Sequence, residues 1–275
     1  MSDTRPIGVF DSGVGGLTVA RGIIDLLPNE PLVYVGDTAR FPYGPRPVTE
    51  IRRFALEIAD LLVRRGVKML VVACNSVEVS AIEDIAARAG IPVIGVIDPG
   101  TRAAVRATRS GVIGLIGTQA TVDSGAYDRA VAATGASVRL LSVACPLFVE
   151  HVERGDTTGD GLRVAAHRYL EPLREGGIDT LILGCTHYPL LSGLLQVELG
   201  SEVVLISSAE ETAKDVYAML LREGMQRTEA GAPRHTFLST GDTDDFQRVA
   251  EVFLGPELTE VRAAHAEPVG GGTWS

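Results

Sequence analysis

Residues 67–80 read VKMLVVACNSVEVS, a short apolar run ending in Cys74 and then small polar residues that open a helical stretch. Residues 178–191 read IDTLILGCTHYPLL and follow the same plan, with Cys185 in the place of Cys74. Short runs that are apolar on both faces belong in a parallel sheet covered by helices on both sides. The same unit recurs before, between and after these segments, a β-branched run followed by a longer stretch with apolar residues near three-and-four spacing. The pattern predicts strands at 7–10, 32–35, 69–73, 93–96, 112–116, 138–141, 180–183 and 203–206, with helices such as 51–65, 83–89, 120–133, 162–174 and 209–223 between them. The fold class is α/β.

The match between the two segments extends further. Ile7 to Ser12, IGVFDS, aligns with Ile113 to Thr118, IGLIGT, in the same order and at a similar offset. This repeat predicts two homologous, pseudo-symmetric α/β halves, each a mostly parallel sheet flanked by helices. The expected division is 1–97 plus 209–275 for the first domain and 98–208 for the second. Residues 266–275, AEPVGGGTWS, carry no periodicity and are expected to fray, which leaves Trp274 out of the core.

Composition narrows the function. With 45% hydrophobic and 22% charged residues among 275, the chain is an ordinary globular one. Its 35 acidic residues exceed its 25 basic ones, and no basic run breaks the net charge of −10, which argues against a nucleic-acid partner. No apolar stretch approaches the ~18 residues of a membrane span. The N-terminus, MSDTRPIGVF, lacks the basic-then-apolar layout of a secretory signal. A cytoplasmic location is expected, and there three cysteines stay thiols.

In open α/β sheets ligands bind beyond the carboxyl ends of the strands, where helices point free N–H groups. Asp11, Ser12, Asp37, Cys74, Asn75, Ser76, Thr118, Cys185, Thr186 and His187 fall at that edge. The glycines of DSGVGG, residues 11–16, do not form G-x-G-x-x-G, and no Walker lysine follows. They are expected instead to bring the backbone close to a small anion such as a carboxylate, with a plain turn capped by Asp11 or Ser12 as the alternative. A lone cysteine after an apolar strand is ordinarily a small buried hydrophobe. Two at matching strand ends, with hydroxyl or imidazole neighbours, point to thiol chemistry, and a helix start is expected to lower their pKa from about 8.5. Cys145, in VACPLF, has no such neighbours and is expected to pack. Of the histidines only His187 stands beside a candidate, the others being expected at the surface. No C-x-x-C or H-x-x-x-H spacing supports a metal. The two lysines, Lys68 at the entering end of its strand and Lys214 inside a helix, are poorly placed for a pyridoxal Schiff base, so no cofactor is expected.

The chain closely resembles the cofactor-independent glutamate racemases of the aspartate/glutamate racemase superfamily. The resemblance rests on GVFDSGVGGLTV (8–19), YVGDTARFPYG (34–44), VVACNS (71–76), IGTQAT (116–121), ACPLFVEHVE (144–153) and GCTHYPLL (184–191). It implies a substrate, glutamate, held between two α/β domains, a homodimer, and a supply of D-glutamate for peptidoglycan. By motif, Cys74 and Cys185 match the two acid/base thiols. Asp11 and His187 match the groups that assist them, and Glu153 matches a further carboxylate near the second thiol. Ser12, Tyr43, Gly44, Asn75, Ser76, Thr118, Thr186 and His187, with Asp11, match substrate-binding or supporting positions. One departure is visible: the family usually continues Asn-Thr and small residues after the first cysteine, whereas this chain has Asn75-Ser76-Val77-Glu78. An inward Glu78 would raise the thiol pKa and repel carboxylates, so it is expected to point outward.

Overall fold

The structure, a computed structural model, describes residues 2–258 and 260–266. The tail expected to fray, with Trp274, lies outside the described residues apart from Ala266.

Among the described residues the strands form two all-parallel sheets. The first orders its strands β10-β9-β2-β1-β3-β4, with β1 Ile7–Asp11, β2 Leu32–Gly36, β3 Met69–Val72, β4 Val93–Ile94, β9 Thr236–Ser239 and β10 Val261–Ala263. The second orders β6-β5-β7-β8, with β5 Val112–Gly117, β6 Arg139–Ala144, β7 Thr180–Gly184 and β8 Val204–Ser207. The orders β4-β3-β1-β2 and β8-β7-β5-β6 are the same topology, so the sequence repeat is a repeat of structure. The aligned segments lie on equivalent strands, β1 with β5 and β3 with β7.

Strand periodicity divides each sheet between two layers of core. In β1 and β3, Ile7, Val9, Met69 and Val71 face one cluster, while Phe10, Leu70 and Val72 face the other. Helices α1 (Leu17–Leu26), α10 (Ser208–Glu223) and α11 (Thr243–Leu254) cover the first face with Leu17, Ile23, Val216, Leu220, Phe246 and Leu254. Helices α2 (Val48–Arg64) and α3 (Asn75–Ala89) cover the second with Phe54, Ile58, Leu62, Val77 and Ile85. The second sheet is packed likewise between α7 (Pro146–Glu153), α8 (Asp160–Glu175) and α9 (Ser192–Leu199) on one side, and α4 (Ile97–Ala107) and α6 (Ala126–Ala133) on the other. The short α5 (Gln119–Asp123) starts at Thr118, whose hydroxyl accepts from the N–H of Thr121. The stretch expected as one helix over 120–133 is split by Gly125, whose φ of 62° breaks the helical path.

The chain passes from the first sheet to the second through α4 and returns through α10. These two helices pack on one another, and Gly100 of α4 lies where a Cβ would stand 3.2 Å from that of Ser208. Strands β9 and β10 were not expected from sequence. TFLS and VRA are short, flanked by polar residues, and are held by pairing to β2 and to each other.

Lys68 precedes β3 and is fully buried, its ammonium donating to Glu30 at 2.5 Å and to the main-chain oxygens of Asp3 and Met225. Lys214 lies on the exposed side of α10, paired with Glu211. Among the described residues no helix is long and apolar enough to cross a membrane.

Candidate active site

Both cysteines leave their strands into a helical turn at the carboxyl edge of a sheet. Cys74 follows β3 with extended backbone, φ −119° and ψ 118°, and is the N-cap of α3, which runs to the left-handed Gly90. Cys185 follows β7, and His187 begins the 3-10 turn Tyr188–Leu191. The two edges face each other across a cavity of about 150 Å³ lined by both thiols with Ser12, Tyr43, Gly44, Asn75, Ser76, Thr118, Thr186 and His187. That is well below the ~300–1,000 Å³ of pockets for drug-sized ligands, so its occupant is small.

The structure also puts Phe41, Pro42, Pro45, Gln119, Pro146, Val149 and Glu150 on the cavity wall. None was singled out from sequence, although Phe41 to Pro45 continue the stretch carrying Tyr43 and Gly44, and Gln119 adjoins Thr118. Asp11 and Glu153 stand behind the wall. Asp11 accepts the N–H of Gly16 at 2.7 Å and the hydroxyl of Ser12 at 3.4 Å, and the Cys74 thiol donates to Ser12 Oγ at 3.7 Å. Glu153 hydrogen-bonds Nε2 of His187, whose Nδ1 lies 3.7 Å from Cys185 Sγ. The two thiols therefore have unlike partners: a carboxylate on one side, an imidazole backed by a carboxylate on the other.

These surroundings set opposite electrostatics. Burial and the Asp11 carboxylate hold the Cys74 thiol well above its ordinary pKa, against the N–H groups of Val77 and Ser12. This reverses the lowering expected for a helix start, because desolvation and a neighbouring anion outweigh two donors. Burial pulls His187 down, but its hydrogen bonds to Cys185 and Glu153 win and push the imidazole up to about 10.

The glycines of residues 11–16 hold no space for an external anion, contrary to expectation. A Cβ on Gly13 would meet Phe41 at 2.9 Å, on Gly15 Thr186 Oγ1 at 2.5 Å and His187 at 2.7 Å, and on Gly16 the Cβ of Asp11 at 2.6 Å. The carboxylate that the loop cradles is Asp11's own. Asp37, at the end of β2, is fully buried and takes hydrogen bonds from Tyr43, Arg40 and Thr240. Tyr43 thus has its hydroxyl committed to Asp37. Cys145 is fully buried as the N-cap of α7, its thiol donating to the Val143 oxygen at 3.6 Å.

Three hydrogen bonds close the gap between the halves. Asn75 donates to the Tyr127 hydroxyl at 2.8 Å, the hydroxyls of Ser76 and Thr118 meet at 3.0 Å, and Thr186 donates to Asp11 at 3.5 Å. The amide oxygen of Asn75 is buried without a partner among the described residues. Glu78 points away from the cavity, as expected. Its side chain is half-buried, and its carboxylate takes the N–H of Val96 at 2.6 Å and of Ile97 at 3.1 Å, outside the cavity. Burial pushes it up to about 8, with Asp98 adding to the rise and the two N–H groups opposing it. Of the other histidines, His167 and His265 are exposed, while His151 and His235 are half-buried and away from the cavity. Among the described residues no group of three His, Cys, Asp or Glu side chains converges as a metal site requires.

The chain matches the Asp/Glu/Hydantoin racemase family over residues 7–216. A glutamate racemase of Parafrankia sp. is 56% identical over 262 residues, 95% of each chain. A glutamate racemase isoform from Bacillus anthracis superposes with a TM-score of 0.91 at 42% identity, covering 96% of this chain and 98% of that one. A third, from Francisella tularensis and in complex with D-glutamate, gives a TM-score of 0.90 at 34% identity over 96% of this chain and 99% of that one.

Proposed function

The chain belongs to the glutamate racemases of the Asp/Glu/Hydantoin racemase family, and we propose that it interconverts L- and D-glutamate by proton transfer between Cys74 and Cys185. The observation that carries this reading is the placement of two thiols at the ends of the equivalent strands β3 and β7, both open to one small cavity.

Racemisation removes a proton from one face of Cα and delivers one to the other, so two acid/base groups must flank a planar, carbanion-like state. For L- to D-glutamate, Cys185 as thiolate takes the proton and Cys74 as thiol gives its own to the opposite face. For the reverse the roles exchange. Burial and the Asp11 carboxylate favour a protonated Cys74, and the imidazole of His187, pushed up to about 10, stands 3.7 Å from Cys185 to pass a proton to or from it. Negative charge developing on the α-carboxylate is held by N–H groups at the starts of α3 and of the turn after β7, with the hydroxyls of Ser76, Thr118 and Thr186. The unpartnered Asn75 oxygen supplies an acceptor for the substrate ammonium. The main chain at Tyr43 and Gly44, with Ser12, is assigned to the side-chain carboxylate.

The reaction supplies D-glutamate for peptidoglycan. The two sheets act as separate domains, 1–97 with 209–275 and 98–208, in a cytoplasmic homodimer, and closure between them keeps water from the carbanion. No metal, nucleotide or pyridoxal cofactor enters the scheme. The test is polarimetry or circular dichroism of L-glutamate and of L-aspartate with the pure protein. Loss of rotation with L-glutamate supports the reading, and an unchanged signal overturns it.

A further inference from the structure

One carboxylate beside the first thiol takes no part in the scheme above. Glu78 sits on the first turn of α3, the helix that Cys74 caps, and its Oε2 accepts N–H groups from Val96 and Ile97. Those N–H groups open α4, whose first turn has no other side-chain cap. Satisfying them with a carboxylate favours one arrangement of the two helices. Helix α4 packs on β7, β8 and α6 of the half that carries Cys185, and on α10 of the other half, so it stands at the seam between them.

Gly95 gives this contact its shape. A Cβ there would fall 2.1 Å from Glu78 Oε1, so the carboxylate occupies the space that any other residue would fill. The grip also lies at the crossover, where the chain leaves the first sheet. On the same helical turn, Asn75 and Ser76 reach Tyr127 and Thr118 of the second half through the cavity wall. Glu78 fastens the turn from outside the cavity, at the pivot.

We propose that Glu78 is a positioning residue for the racemisation: by pinning the first turn of α3 to the start of α4 against Gly95, it fixes the separation of Cys74 and Cys185 across the substrate. The inference rests on the two-thiol reading. Its mechanism is distance, since a displacement of about 1 Å at a reacting group can cost about a hundredfold in rate.

The experiment measures kcat and KM in both directions, with thermal unfolding, for Glu78→Ala, Glu78→Gln, Gly95→Ala and the double variant. Glu78→Ala is expected to lower kcat about ten- to a hundredfold, with KM changing less than about threefold. Glu78→Gln keeps a carbonyl oxygen for the same N–H groups and is expected to stay within about threefold of the parent. Gly95→Ala is expected to lower kcat on its own and to add nothing in the Glu78→Ala background, because the clash is then gone. A folded Glu78→Ala with the parent's kcat, a Gln variant no better than Ala, or an additive Gly95→Ala effect would each overturn the proposal. Where Glu78→Ala does not fold, Gly95→Ala decides alone, and an unchanged kcat overturns it. Should the parent not racemise glutamate, the functional reading falls separately. The grip is then read by hydrogen exchange at the Val96 and Ile97 amides, where faster exchange in Gly95→Ala than in the parent and in Glu78→Gln supports it and unchanged exchange in Gly95→Ala overturns it.

Discussion

The hydroxyl of Thr186 donates to the carboxylate of Asp11 at 3.5 Å, from one half of the molecule to the other. Thr186 adjoins Cys185, and Asp11 stands behind Cys74. The surroundings of the two thiols are therefore joined by a hydrogen bond that exists only while the halves are together, and a change of charge at either is felt at the other.

Each active-site thiol is expected to be indispensable. Cys74→Ser and Cys185→Ser should each lower kcat by at least about a thousandfold, since a serine hydroxyl is too weak an acid to exchange roles near neutral pH. Cys145→Ser should keep its activity and lose about 1–2 kcal/mol of stability, because it buries a hydroxyl where a thiol packed. Circular dichroism assays beside urea unfolding check both halves, and turnover at the parent's rate in either active-site variant would break the two-thiol scheme.

Isotope labelling separates two bases from one. With L-glutamate in deuterium oxide and an early quench, the D-glutamate formed should carry deuterium at Cα while the remaining L-glutamate stays largely unlabelled. The donating thiol has equilibrated with solvent, whereas return uses the thiol that has just received the substrate's proton. Substantially protiated product at early times would mean that one base serves both faces.

The imidazole at His187 makes stability depend on pH in a stated direction. Its folded-state pKa is about 10 against an ordinary 6.5, so the contribution of protonated His187 is complete below about 6.5 and fades as pH rises through about 10. The unfolding free-energy gap between the parent and His187→Asn should narrow from pH 6.5 to 10. Urea titrations across that range test it, and a gap that widens would contradict the assignment.

Gly15→Ala should act as a wedge between the halves. Its Cβ would come within 2.5 Å of Thr186 and 2.7 Å of His187. Relieving that overlap costs about 1–3 kcal/mol or spreads the thiols apart. Steady-state assays should show kcat lower by about tenfold or more, and a variant with kcat and melting temperature both unchanged would show that the two segments do not meet.

Lys68→Met should leave Glu30 buried without its partner, at a cost of about 3–5 kcal/mol. Replacing both residues by apolar ones should recover most of that. Urea unfolding gives the comparison, and equal stabilities for the single and double variants would refute the pairing argument.

What the sequence disclosed and what it withheld divide along a physical line. Strands β1 to β8 and the thiols at matching strand ends are written locally, as apolar runs followed by a small polar residue. Strands β9 and β10 are not, because TFLS becomes a strand only by pairing with β2 from far along the chain, and VRA only by pairing with β9 in turn. The partner of Glu78 was not legible for a similar reason: its seat is made by Gly95 and two N–H groups seventeen or more positions away. The glycines after Asp11 were recognised as permitting close approach, but what approaches is Phe41, Thr186 and His187, which no local pattern reveals.

The order of strands in the first sheet bears on how the chain is made. The second sheet draws β5 to β8 from one unbroken stretch and can assemble as that stretch leaves the ribosome. The first sheet must wait, since β2 pairs with β9, Val33 opposite Thr236. Until then LVYVG, whose five residues are all buried in the finished molecule, is an open edge with unpaired N–H and C=O groups. Through the synthesis of some two hundred residues this newborn edge is the place where one chain can seize another, and a chain truncated before Thr236 keeps it exposed for good.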